Sequence, residues 1–155
     1  MAKKYSKHKK NKDSTGKTSS EFNDKEKFKL QILATQQLVV VLNIYGQVLL
    51  YEATLLGNEL VKTHFTNNEL QIKADTLVQQ AVKIFFIAGL ISFELAMINY
   101  DKANEDIRSG ANYSIQPNID LLTANTLNVT AGIYYIKAAN GLYDRDNLQP
   151  IFGFR

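Results

Sequence analysis

The chain has no cysteine and no tryptophan, and among its 155 residues only two are proline and two are histidine. Without cysteine there is no disulfide framework, thiolate metal site or cysteine nucleophile. His8 and His64 stand far apart, and neither is accompanied by a second imidazole or a suitably spaced pair of acids, so no metal-ligand set or nucleophile-base pair can be assembled. The glutamate and histidine spacing of di-iron bundles is missing as well. These gaps predict a protein that is not an enzyme and carries no cofactor. No proline precedes Pro117, which leaves a long stretch without its strongest helix breaker.

Charge is scarce in the middle of the chain and abundant at its start. The first 29 residues carry ten lysines against four acids, whereas the other 126 carry eight basic and eleven acidic residues. The net charge of +3 is therefore a property of the leading segment. Residues 1–22 read as a disordered arm, since Met1–Ser20 offers almost nothing to a core and its lysines repel one another. Lys3, Lys4, Lys7, Lys9, Lys10, Lys12 and Lys17 give that arm an electrostatic affinity for anionic surfaces or nucleic acid. It lacks arginine, and Tyr5 is its one stacking residue, which weakens the nucleic-acid reading. Gly16, Lys17 and Thr18 imitate the end of a phosphate-binding loop, but Asn11 stands where that loop needs its first glycine.

Residues 23–155 read as one helical domain. Asn23 and Glu26 have the spacing of a capping box, from which a first helix runs towards Phe65. Leu38, Leu42, Tyr45, Leu49, Ala53, Leu56 and Leu60 recur along it at helical spacing, with Gln36, Asn43, Gln47, Thr54 and Asn58 on other positions. A second capping box is expected at Thr66 and Glu69, with Phe65 and Leu70 as a hydrophobic staple, and that helix should continue to about Arg108, where Ser109 and Gly110 end it. Within it, Val82–Tyr100 is apolar on every side. Leu70, Ala74, Leu77, Ala81, Ile84, Ala88, Ile91, Leu95 and Ile98 form one stripe, expected to face the core. Phe86, Leu90, Phe93 and Met97 lie about half a turn away, and Glu94 falls in line with Lys73, Gln80 and Asp101 as a narrow polar seam. Pro117 suits the first turn of a third helix, Asn118 to about Tyr143. Its many Thr, Asn and Gly residues are poor helix formers.

The fold expected is all-α, three long helices in a bundle with the first two as a hairpin. A helix apolar all round must be covered all round. The function expected is structural: a homo-oligomer or polymer, such as a filament, sheet or shell, held by coiled-coil-like contacts at Phe86, Leu90, Phe93 and Met97 and by the apolar terminus Ile151, Phe152 and Phe154. Two alternatives stand beside it. One is a small helical membrane protein with a cytoplasmic basic arm, although Lys83 and Glu94 interrupt the most apolar stretch. The other is a module that uses the arm to bind nucleic acid or an anionic surface. No cleavable signal peptide is visible, so synthesis in the cytoplasm is expected and the final location is left open.

Overall fold

The computed structural model describes residues 23–144, apart from the Lys25 side chain, and is built from three α-helices. These are α1, Asp24–Lys62; α2, Asn68–Arg108; and α3, Gln116–Asp144. At the rise of an α-helix the first two are each about 60 Å long and the third about 43 Å. The lysine arm and the terminal Ile151, Phe152 and Phe154 lie outside the described residues.

Local chemistry explains each helix end. The box at Asn23 forms as the spacing predicts: Asn23 Oδ1 accepts from the Glu26 backbone N–H at 2.9 Å, and Glu26 Oε2 accepts from the Asn23 N–H at 2.9 Å. Both α1 and α2 end in the six-to-one and five-to-two hydrogen bonds that close a helix C-terminus. In α1 the Phe65 N–H donates to Leu60 O at 2.8 Å and the His64 N–H to Val61 O at 3.1 Å. In α2 the equivalent donors are Ala111, to Asp106 O, and Gly110, to Ile107 O, both at 3.0 Å.

The cap of α2 differs from the sequence expectation by one residue. Asn67 is the N-cap, its side chain accepting from the Leu70 N–H at 3.1 Å, and Thr66 Oγ1 instead donates to Thr63 O at 2.7 Å. The cause is the turn before it. His64 and Phe65 take φ of 51° and 56° to end α1, and that left-handed pair leaves Thr66 bonded backwards to the old helix. The start of α3 precedes the expected Asn118 by two residues, with Pro117 in its first turn.

The layout is a layer with α2 in the middle. α1 packs along one side of α2 and α3 along another, and among the described residues no Cα of α1 lies within 8 Å of one of α3. The α1–α2 seam is made of mostly small residues repeating every seven: Gly46 and Ala53, followed by the larger Leu60, are buried on α1, and Ala74, Ala81 and Ala88 on α2. This is the expected core stripe of α2, in which Leu95 is also buried while Leu70, Leu77, Ile84, Ile91 and Ile98 are half-buried. On α1, Leu38 and Tyr45 of the helically spaced apolar set are exposed, and the buried stripe runs through Gly46, Leu49 and Ala53.

Candidate interaction surface

Two consecutive phenylalanines of α2 explain how the middle helix holds both neighbours. Side chains at successive helix positions point about 100° apart. A Cβ on Gly46 of α1 would lie 2.6 Å from the Phe85 ring, and a Cβ on Gly132 of α3 would lie 2.8 Å from the Phe86 ring. Each ring therefore occupies a notch that only glycine leaves open. Further along, Gly89 of α2 is buried against Asn128 and Val129 of α3, and Asn118 Nδ2 donates to Asn99 O at 3.1 Å. The amide-rich composition of α3 supplies these lateral contacts.

This geometry divides the four residues expected to meet a second copy. Phe86 is half-buried against Gly132 and belongs to the α2–α3 contact, and Phe93 is half-buried as well. Leu90 and Met97 are exposed. Docking of α3 is what the sequence did not show, since periodicity along α2 cannot say which of its sides receives a neighbour. Lys73, Gln80, Glu94 and Asp101 are all exposed, as expected of a polar seam.

The burial pattern as a whole is inverted. Among the described residues seven of the eleven buried apolar side chains are alanine, while the large apolar side chains are mostly outside, so this part of the chain leaves uncovered the groups whose burial stabilises most. On α1, Leu33, Val41, Ile44, Val48, Tyr51 and Leu55 recur at three- and four-residue steps (Gln37 filling the gap between Leu33 and Val41) on a face that nothing described covers, with Ile44 59% and Tyr51 67% exposed. On α3, Leu127, Tyr134 and Tyr135 are likewise outside. The α1 stripe could have been found from its spacing, but it competes with the Leu38–Leu60 stripe on the same helix and only the packing decides between them.

Polar groups are interleaved with this apolar surface. Gln36, Gln37, Asn43 and Gln47 are exposed on α1, and Lys83 and Glu94 on α2. Ion pairing among the described residues is sparse, and Lys73–Glu52 at 3.8 Å is the one that links two helices. No group of three histidine, aspartate or glutamate side chains converges among the described residues in a way that could hold a metal ion.

The one buried carboxylate among the described residues is structural in its surroundings. Asp75 is 2% exposed, and its two oxygens accept from Gln71 Nε2 at 3.2 and 3.3 Å. Burial raises its pKa above the ordinary carboxylate value, and the Gln71 hydrogen bond opposes that rise without cancelling it. At the other end of α2, the exposed Tyr113 hydroxyl donates to Asp106 at 3.1 Å, tying the α2–α3 connection back to the helix it leaves.

No family model, curated protein or solved structure matches this chain. The surface is therefore the ground on which its function can be argued.

Proposed function

We propose that the protein is a structural, self-associating chain whose outer helix faces are buried by further copies of itself. The observation that carries this reading is the inverted burial: alanines inside, and regularly spaced Val, Ile, Leu and Tyr outside on α1. A patch this extensive on a soluble chain marks an interaction site. Copies of the chain suit the surface better than lipid, because exposed amides and the exposed Glu94 sit among the apolar residues and lipid offers no hydrogen-bond partner or counter-charge.

A membrane setting is the second reading, and one specific observation favours it. Leu30–Tyr51 of α1 and Leu121–Ile136 of α3 carry no charged side chain, and Ile84–Tyr100 of α2 carries only Glu94. The contacts of Gly46 with Phe85, Phe86 with Gly132, and Gly89 with Asn128 bring these three segments to one level. Both α1 and α2 are long and apolar enough to cross a bilayer. Small residues at helix contacts are also common in membranes.

Light scattering on the full chain in detergent-free buffer, with membrane and soluble fractions assayed in parallel, separates the two. Self-association predicts a particle of several copies in the soluble fraction whose mass does not depend on detergent. Recovery only from membranes with detergent overturns it in favour of the bilayer, and a soluble monomer overturns both.

A further inference from the structure

We propose that the exposed seam of α2 closes an antiparallel two-fold pair with the same seam of a second copy. The inference rests on the self-association reading above and adds to it the face, the direction and the register. Gln80, Lys83, Ile87, Leu90, Glu94 and Met97 are all exposed, and the steps between them alternate three and four residues throughout. That is the 3.5-residue repeat of a coiled-coil seam. The other sides of α2 are occupied, by α1 at Phe85 and by α3 at Phe86 and Gly89, so this line is the side left for another helix.

Charge selects the direction. Neither Lys83 nor Glu94 belongs to an ion pair among the described residues. They are eleven residues apart on one helix, about 16 Å, so they cannot neutralise each other within a copy. A two-fold axis passing between Ile87 and Leu90 sets Ile87 opposite Leu90 of the second copy, Lys83 opposite its Glu94, and Gln80 opposite its Met97. By symmetry every pair occurs twice. The result is an apolar centre flanked on both sides by an opposite-charge pair. In a parallel pair Lys83 faces Lys83 and Glu94 faces Glu94. Slipping the antiparallel pair by one heptad sets Lys83 against Ile87 in one sense and Glu94 against Leu90 in the other. Only the stated register satisfies both charges, which is how charged positions specify partner orientation in coiled coils.

The test uses the full chain. Copies carrying Lys83→Glu, or copies carrying Glu94→Lys, each set two like-charge pairs across the seam, and the dissociation constant measured by sedimentation should rise at least tenfold. Mixing the two variants restores both opposite-charge pairs and should restore association. The double variant Lys83→Glu/Glu94→Lys should associate like the original chain, which separates loss of pairing from loss of fold. The absence of cysteine allows a direct check of register. Ile87→Cys copies mixed with Leu90→Cys copies should oxidise to a covalent dimer faster than either variant alone. Unchanged association after charge reversal, failure of the mixture to recover, or preferential cross-linking of like variants overturns the antiparallel pair while leaving self-association standing. A monomeric original chain overturns both.

Discussion

Two residues at matching places in the fold, His64 and Gly110, do the same work with different side chains. Each follows a helix C-cap, donates to the carbonyl three residues back and takes a positive φ, 51° for His64 and 99° for Gly110. A left-handed backbone costs a residue with a Cβ about 1–2 kcal/mol, and glycine escapes that cost. No atom lies within 4 Å of a Cβ built on Gly110, so Gly110→Ala should destabilise by about 1 kcal/mol through conformation alone. His64→Gly should raise stability, by less than about 1 kcal/mol because glycine also frees the unfolded chain. Chemical denaturation of both variants checks the pair, and a gain in stability from Gly110→Ala would contradict the backbone assignment.

Asp75 makes the stability of the fold depend on pH. Its folded pKa is raised above 3.8 because burial disfavours the carboxylate. Between 3.8 and that raised value the native state therefore holds more protons than the unfolded one, and stability falls as pH rises. Above the window the destabilisation is constant. Asp75→Asn keeps an acceptor for Gln71 and removes the titration, so the variant should gain stability relative to the original as pH climbs through the window. Denaturation curves at several pH values for both chains measure this difference; a difference that does not vary with pH would show that Asp75 does not titrate in the window. Neither Asp75 nor the Asn67 cap was legible in the sequence. A single acid in an amphipathic helix gives no sign of its burial, and Thr66 matches a capping pattern that the turn at His64 and Phe65 overrides.

Among the elements, α2 organises the others, and its alanines and phenylalanines set how closely they approach. Helix bounds were readable because caps and breakers are local: Asn23 with Glu26, Ser109 with Gly110, and Pro117 each mark an end within one or two residues. The notches at Gly46 and Gly132 were not readable, because a glycine inside a helical pattern looks the same whether a ring or open solvent lies over it. Alanine at either notch gains about 1 kcal/mol of helix propensity. It also drives a methyl into a phenylalanine ring, and overpacking of this kind costs about 1–3 kcal/mol. Gly46→Ala and Gly132→Ala should therefore be neutral to destabilising, by up to about 2 kcal/mol. Gly57, also in α1, has nothing within 4 Å of its Cβ position, so Gly57→Ala should be stabilising by about 1 kcal/mol. Thermal unfolding of the three variants side by side reads the contrast. Equal stabilisation by all three would mean that the rings of Phe85 and Phe86 do not fill these notches.

At the scale of the whole molecule, three helices in a row leave more apolar surface outside than a closed bundle would. Helix number and order follow from the sequence pattern; the side of α2 taken by α3 does not, since every face of Val82–Tyr100 is apolar enough to receive it. That placement also decides how far the proposed association can run. A two-fold contact uses the same patch on both copies and stops at two. Growth beyond a dimer needs a second face, and the stripe of α1 through Val41, Ile44 and Val48 is exposed and points away from the chain's own core. Val41→Gln with Val48→Gln removes two methyl-rich contacts from this stripe and touches no buried position. The double variant should keep its helical content and change the stability of the folded chain by about 0.5 kcal/mol or less. Its particle should shrink from several copies to the α2-seam dimer, as read by light scattering. A particle of unchanged mass would assign the growth contact to another surface, such as Leu127, Tyr134 and Tyr135 of α3. Collapse to a monomer would show that the α1 stripe, and not the α2 seam, makes the first contact.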